Sequence, residues 1–328
     1  MLELAFAFLS LGAVVTAIPN PQAAAPSGLD INNPSDSDPT SPPSSISFPT
    51  GAPENPYPSG IPTQPDECDG QNPSDDCFNT MAGSGGYLWF DKDSECSPDQ
   101  KSQLETAVWD ATTLAFYSSN FPNNGAGTRG QASGIFYMGP DFASQQNRIA
   151  GNLKRVWQFK TPETSSKEYI TVSCKDTKNI CGKKIGGKGV GGYAWTYSGW
   201  FYYYHYITLC PPFFTIDSLS TKINTVEQDL ASGSTKMAKD MTWLSSTGQF
   251  FLHEMMHTRI ANGSEEPHII DEYVAPIPAG EKPGTNDIKA YGPRLVNSLA
   301  KRSLNQGGGA TRASTNADSY AMLANAAW

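Results

Sequence analysis

The chain lacks a long apolar segment, a basic cluster and any CxxC pair of cysteines. A membrane-spanning helix needs about 20 predominantly apolar residues, and no segment here provides them. The formal net charge of −9 argues against a nucleic-acid partner, because the phosphate backbone would be repelled. Without CxxC spacing, a zinc site built from thiolates is not expected. The signals for chemistry therefore lie among other residue types.

The N-terminal region divides into two predicted segments. An apolar run from Leu4 to Val15 ends at small residues before Ala17, although no Lys or Arg precedes it. We expect residues 1–17 to be a secretory signal peptide, which implies a secreted protein, with cell-wall association as a further option. Residues 18–65 are rich in Pro, Ser and Gly without apolar periodicity, which predicts a disordered spacer or a pro-segment. Residues 66–328 are predicted to form one domain.

All six cysteines fall within the predicted domain. An even number behind a signal peptide predicts three disulfides. Cys174 and Cys181 are predicted to pair across a short loop, and the other pairings stay open. Asn262 begins the one usable N-glycosylation sequon, Asn-Gly-Ser, because the other two Asn-x-Ser/Thr candidates are interrupted by proline.

The pattern of apolar residues predicts an α+β fold. β-Branched and aromatic runs separated by glycines predict a small, mostly antiparallel sheet in the middle of the domain. Helical periodicity precedes and follows it. We predict helices over 98–119, 142–159, 288–302 and 316–327, strands at "EYITVSC", "GYAWTY" and "YHYITLCPPFF", and a further helix over "QFFLHEMMHTRI" that packs against the sheet.

The stretch "QFFLHEMMHTRI", residues 249–260, contains an HExxH pattern. Residues four apart lie on one face of a helix, so His253 and His257 could bind a single ion. Glu254 beside them would be the general base of a zinc hydrolase and not a ligand. The alternative interpretation is a buried helix whose histidines form ordinary hydrogen bonds.

A catalytic zinc needs a third protein ligand, and three downstream residues compete for this role. His268 and Asp271 both occur in "EEPHIIDEY", and Asp287 occurs in "GTNDIKAYG". A loop histidine is more often a polar surface residue, and a lone aspartate is more often a turn residue. Position relative to HExxH is the observation that favours an aspartate.

The order of HExxH, a downstream aspartate, Tyr-Gly and "NADSYAMLANAAW" resembles the aspzincins, the deuterolysin-type fungal metalloendopeptidases. "ITLCPPFF" resembles their strand before the active-site helix, and the likeness covers about residues 169–328. The resemblance implies a zincin-like fold, one catalytic Zn²⁺ and cleavage of peptide or protein substrates. It also implies an aspartate as third ligand and a tyrosine, here Tyr291, that stabilises the transition state.

The family pattern Gly-Thr-x-Asp-x-x-Tyr-Gly is imperfect here, because one extra residue separates Asp287 from Tyr291. Asp271 lies closer to the family's spacing after the second histidine. Asp271 is therefore the predicted ligand, with Asp287 as the alternative. In lysine-specific relatives the aspartate that matches Asp318 lines a substrate pocket, and their second acid corresponds to Ala321, which leaves a looser preference for Lys or Arg after the cut.

The predicted function is that of a secreted, monomeric zinc endopeptidase. One alternative is a secreted zinc-binding protein, such as a scavenger or antigen, without proteolytic activity. A second is a wall-associated structural protein in which the Pro/Ser-rich segment is a stalk and the aromatic "GWFYYYHY" packs on a partner.

Overall fold

The computed structural model describes most of the predicted domain and two residues of the predicted signal peptide. They are residues 15–16, 76–79, 87–90, 93–120, 129–159, 169–185, 188–198, 203–263, 265, 267–277, 281–284 and 287–328. The predicted spacer, 18–65, lies outside the described residues, as does the predicted signal peptide except for Val15–Thr16.

The described residues form helices α1 to α9 and strands β1 to β8 in an α+β arrangement, which confirms the predicted class. The helices are α1 Pro98–Ser119, α2 Arg129–Met138, α3 Gln146–Gln158, α4 Leu219–Ala231, α5 Thr247–Met256, α6 Arg259–Asn262, α7 Gly292–Lys301, α8 Ala310–Ala313 and α9 Ala317–Ala327. The strands are β1 Val15–Thr16, β2 Asp76–Asn79, β3 Tyr87–Phe90, β4 Tyr169–Ser173, β5 Lys184–Ile185, β6 Lys188–Gly189, β7 Gly192–Ser198 and β8 Tyr203–Leu209.

The main sheet is mixed: among the described residues, three of its five strand pairs are antiparallel, as expected of a mostly antiparallel sheet, and two are parallel. Its strand order is β1-β7-β8-β4-β3-β2. The β3–β4 and β4–β8 pairs in its centre are parallel, whereas β7–β8 and the outer pairs are antiparallel. Parallel neighbours need a crossover connection, and α1, α2 and α3 supply it between β3 and β4. The sequence pattern missed β3, because its four residues carry too short a signal.

Helix α1 begins and ends where the sequence predicts. The Ser97 side chain accepts a hydrogen bond from the Gln100 N–H, the Gln100 side chain accepts one from the Ser97 N–H, and Pro98 opens the first turn. Helix α1 crosses α5 where Gly248 faces Asp110. A Cβ atom on Gly248 would lie 2.3 Å from the Asp110 Cβ, so only glycine permits this close approach.

Three of the predicted helices differ in their boundaries by more than one residue. The helix predicted over 142–159 begins as a 3-10 helix, Phe142–Gln145, and continues as α3 from Gln146. Helix α7 begins at Gly292 and not at residue 288, because Gly292 has a positive φ of 75° and Pro293 then opens the helix. Helix α5 ends at Met256, with His257 as its C-terminal cap, and the chain re-enters a helix at Arg259. The second histidine therefore sits at the end of the helix, where the chain turns.

The disulfides connect elements that are distant in sequence, so the predicted Cys174–Cys181 pair is wrong. The structure pairs Cys96 with Cys174 and Cys181 with Cys210, with Cα–Cα distances of 5.0 and 5.3 Å. The Cys174 N–H donates to the Ser94 carbonyl oxygen at 2.8 Å, which brings the start of α1 beside the end of β4. The position of β4 therefore places Cys174 beside Cys96 rather than beside Cys181. Disulfides are compatible with an extracellular protein.

The predicted sequon residue Asn262 is buried, and its Nδ2 donates to the Glu265 carbonyl oxygen at 2.7 Å. A glycan on that nitrogen does not fit this packing. Among the helices of the described residues, none has the length and apolar character that crossing a membrane requires.

Candidate metal centre

Helix α5 supplies the HExxH residues from the centre of the fold. The Ser246 side chain caps its start by accepting a hydrogen bond from the Gln249 N–H at 3.2 Å. Every residue of α5 is buried, because α1, α9 and the sheet cover it. His253, Glu254 and His257 are at most 1% exposed. The polar side chains of the motif therefore face an interior site.

Three donor atoms from His253, His257 and Asp271 form an equilateral triangle. The Nε2 atoms of the two histidines lie 3.2 Å apart, and each lies 3.2 Å from Asp271 Oδ1. That oxygen is buried and has no hydrogen-bond partner among the described residues. A buried carboxylate oxygen without a donor is costly, and a cation at the centre of the triangle would satisfy it. The group could hold one metal ion.

Hydrogen bonds on the far sides of both rings favour this use. His253 Nδ1 lies 3.2 Å from Asp318 Oδ1, and His257 Nδ1 lies 3.2 Å from the Ile269 carbonyl oxygen. Because both partners are acceptors, each Nδ1 carries a proton and each Nε2 faces the triangle. Burial alone would lower the pKa of His253, but the Asp271 and Asp318 carboxylates raise it to about 10, so a cation would have to displace a proton from that ring. Burial lowers the pKa of His257, which favours the neutral ring that a metal binds.

The second oxygen of Asp271 is held by two donors. The Tyr291 hydroxyl donates to Oδ2 at 2.6 Å, and Lys289 Nζ donates to it at 3.2 Å. Burial alone would raise the pKa of Asp271, but its contacts with His257 and His253 hold that pKa well below its usual value. The carboxylate is therefore ionised, with one oxygen fixed by donors and the other directed at the histidines.

The segment that carries Asp271 is fixed by the chain just before α9. The Ile270 N–H donates to the Thr315 carbonyl oxygen at 2.8 Å, and the Ala317 N–H donates to the Ile270 carbonyl oxygen at 3.0 Å. Beside them, the Glu272 N–H donates to Asn316 Oδ1 at 3.0 Å. These bonds place the third donor residue without any regular secondary structure around it.

Glu254 stands apart from the triangle in its contacts. It is fully buried, and neither carboxylate oxygen has a hydrogen-bond partner within the described part of the chain. Burial raises the pKa of Glu254 well above its ordinary value. A carboxylate that is desolvated and has no hydrogen-bond partner binds a proton more tightly than an exposed one, which is a property of general bases and acids.

The remaining predicted residues lie in different places. Asp287 Oδ2 accepts a hydrogen bond from the Gly284 N–H at 2.6 Å, and Asp287 does not belong to the donor group. His268 Nε2 lies 3.0 Å from the His257 carbonyl oxygen, so it faces backbone. Of the candidates for the third ligand, Asp271 is the one that the fold brings to the histidines.

Asp318, predicted to bind substrate, lies behind His253. It is 1% exposed; its Oδ1 contacts His253 Nδ1, and its Oδ2 accepts a hydrogen bond from the Gly292 N–H at 2.5 Å. This is the arrangement of an outer carboxylate that orients a metal-binding histidine. The substrate-binding role stays a prediction.

A cleft of about 280 Å³ adjoins the centre. Tyr291 and Asp318 line it, and each contacts one of the donor residues. Phe250, one helical turn before His253, forms part of its wall. The cleft therefore reaches the residues that hold the donor triangle.

Sequence reasoning missed Lys289, and it missed the contacts of the segment before α9 with the Asp271 loop. Lys289 lies two residues before the predicted Tyr291. Because Lys289 and Asp271 are far apart in the sequence, no local pattern indicated that the two charges would meet. The motif "NADSYA" was the available signal for the segment before α9. It gave no indication that this segment would form hydrogen bonds with the Asp271 loop.

Comparisons of the chain with protein-family models, with curated proteins and with solved structures found no match. The resemblance to the aspzincins therefore rests on the sequence motifs, and family membership stays a prediction.

Proposed function

We propose that this chain is a secreted zinc-dependent endopeptidase. The observation that carries the proposal is the donor triangle of His253, His257 and Asp271 with the unpartnered Glu254 carboxylate beside it. Two imidazole nitrogens and one carboxylate oxygen form a typical ligand set for catalytic zinc. Ligand atoms about 2.0–2.1 Å from a tetrahedral zinc ion are roughly 3.3–3.4 Å apart. The 3.2 Å edges of the triangle fit this separation.

The proposed mechanism assigns one task to each residue. When bound, zinc supplies the Lewis acidity that activates water and polarises a peptide carbonyl. Glu254 takes the proton from the attacking water and passes it to the leaving amine, a task that suits its raised pKa. The Tyr291 hydroxyl stays protonated, because burial and the Asp271 carboxylate raise its pKa well above the ordinary value. Its one proton is donated to Asp271 Oδ2, and a turn of the hydroxyl would exchange that hydrogen bond for one to the developing oxyanion.

The outer residues keep the ligands in position. Asp318 and the Ile269 carbonyl oxygen fix the two histidine rings, and Lys289 fixes the Asp271 carboxylate. Such outer partners usually change metal affinity or activity about 10- to 100-fold when they are removed.

A zinc-binding protein without proteolytic activity is the second candidate. The observation that favours it is the near-complete burial of the donor residues, since Asp271 is 4% exposed and both histidines are at most 1% exposed. A buried closed site is typical of structural or storage zinc. The two candidates differ in the role of Glu254, which a storage site does not need.

The Glu254→Gln variant tests the proposal. It should bind zinc as the wild type does and lose at least about 100-fold in kcat/KM on a casein or peptide substrate, because the general base is gone. Glu227→Gln, which removes an exposed carboxylate on α4, is the matched control and should leave both properties unchanged. Cleavage by Glu254→Gln at the wild-type rate would overturn the mechanism.

A further inference from the structure

The cleft beside the metal centre has walls of a defined chemical character. Ile216, Phe250 and Met322 line it and are at most 8% exposed. Arg294, at the exposed start of α7, also lines it. Neutral polar side chains, among them Thr242, Ser245 and Gln249, also belong to the lining. A substrate group that enters would therefore contact apolar and neutral polar side chains, with Arg294 as the one positive charge among these described residues.

The carboxylate that could receive a basic side chain is already engaged. Asp318 Oδ1 contacts His253 Nδ1 at 3.2 Å, and Oδ2 accepts the Gly292 N–H at 2.5 Å. Ala321, at the position where the resemblance would place a second acid, is fully buried and uncharged. Among the described residues that line the cleft, Asp318 is the one acid.

The balance of these contacts disfavours a cation in the cleft. A lysine or arginine side chain would lose hydration against Ile216, Phe250 and Met322, and Arg294 on the same lining would repel it. The one acid of the described lining, Asp318, already shares its charge with His253 and the Gly292 N–H. An apolar side chain would gain from burial at about 25 cal/mol per Å² of apolar surface removed from water. Its entry would disturb neither hydrogen bond of Asp318.

The cleft is large enough to hold an amino-acid side chain. At about 280 Å³ it lies just below the range of roughly 300–1,000 Å³ that is usual for drug-sized ligands. Because Tyr291 and Asp318 close it on the side of the donor triangle, a side chain held there would belong to a residue close to the bond that is cut.

We propose that this cleft selects an apolar substrate side chain next to the scissile bond, with Met322 as a specificity-determining residue. This inference rests on the proposed endopeptidase function. It replaces the preference for Lys or Arg that the resemblance implies.

The test uses the zinc-loaded mature protein and peptides that share one sequence around a central bond. The residue before that bond, or the residue after it, is varied in turn among Leu, Phe, Lys, Arg and Glu. Mass spectrometry locates the cuts. The proposal expects kcat/KM at least tenfold higher for Leu or Phe than for Lys on one side of the bond. Equal values, or a preference for Lys or Arg, would overturn it.

Two substitutions at Met322 locate the selectivity in the cleft. Met322→Glu should reduce the ratio of Leu to Lys cleavage at least tenfold, whereas Leu230→Glu, which adds the same charge at an exposed residue of α4, should leave the ratio unchanged. If the buried glutamate of Met322→Glu prevents folding, Met322→Ala is used instead. Met322→Ala enlarges the cleft and should shift the cleavage preference from Leu towards the larger Phe. An unchanged ratio in a folded Met322 variant would contradict the proposal.

A binding measurement separates failure of this inference from failure of the proposed function. The Glu254→Gln variant loaded with zinc is titrated with fluorescent forms of the Leu and Lys peptides. If the wild type cleaves none of the peptides, the endopeptidase function fails. Tighter binding of the Leu peptide would then still support an apolar cleft, and equal or weaker binding of it would overturn that inference.

Discussion

Two buried carboxylates flank helix α5, and they have opposite properties. Asp110 is 3% exposed and lies near the start of the helix, beside Gly248; Asp271 is 4% exposed and lies near its end. Burial raises the pKa of Asp110 to about 6, with a hydrogen bond from the Leu219 N–H as the opposing contribution. The pKa of Asp271 is held well below its usual value. The partners of each carboxylate, rather than its depth, therefore decide its pKa.

The difference also separates structure from chemistry. Asp110 fixes the first turn of α4 and fits against a glycine, which is a packing role. Asp271 has one oxygen fixed by donors and the other directed at two imidazole rings, which is an arrangement for binding a cation. We expect substitutions of the two residues to change different properties of the protein.

The largest expected effect is on metal binding through Asp271. Asp271→Asn should weaken zinc binding about 1,000-fold or more, because the loss of a direct ligand exceeds the 10- to 100-fold change typical of outer partners. Asp287→Asn, the matched control from the alternative candidate, should bind zinc within about twofold of the wild type. Competition with a chromophoric chelator measures both affinities. The reverse order would show that Asp287 is the ligand.

The second effect is on the pH dependence of stability through Asp110. Its pKa is about 6 in the folded state against 3.8 ordinarily, so the proton is bound more tightly in the folded protein. Below pH 3.8 the residue costs no stability, since it is protonated in both states. Stability is then lost as pH rises through about 6, by up to about 3 kcal/mol at 1.36 kcal/mol per pKa unit.

Asp110→Asn should remove this loss. The variant should match the wild type near pH 3.5 and exceed its free energy of unfolding by up to about 3 kcal/mol at pH 7.5, as measured by denaturant titration at both values. Asp99→Asn, at an exposed position in the first turn of α1, is the control and should show no gain at pH 7.5. A gain of the same size at both pH values would rule out the titration of Asp110 as its cause.

The smallest expected effect is on the outer support of Asp271. Lys289→Met removes the ammonium group that lies 3.2 Å from Asp271 Oδ2 and should weaken zinc binding about tenfold. Lys236→Met changes an exposed lysine that has no contact with Asp271 and should have no effect on zinc affinity. Isothermal titration calorimetry of the two variants measures the difference. Equal affinities would assign the support of Asp271 to Tyr291 alone.

The features that the sequence predicted correctly depend on local signals. The capping pair Ser97 and Gln100 and the helical period fixed the limits of α1. The four-residue spacing of His253 and His257 predicted that their rings would meet, and their Nε2 atoms lie 3.2 Å apart. Asp271 was preferred on spacing alone, and the fold places it with the histidines.

The features that the sequence could not predict depend on contacts between distant segments. Cys174 pairs with Cys96 because β4 lies beside β3, and β3 was too short to be recognised. Similarly, the contact of Asp318 with His253 joins α9 to α5, and no local pattern reports which face of one helix meets another. Sequence reasoning identified the donors of the centre, whereas the outer contacts that orient them required the fold.

The most direct test of the account is the zinc content of the purified mature domain after chelation, reconstitution and removal of free metal. We predict one zinc ion per chain by mass spectrometry of the metal, and none in a folded His253→Ala, His257→Ala double variant. Absence of zinc from the wild type, or equal zinc in both proteins, would contradict the assignment of His253, His257 and Asp271 as a metal centre.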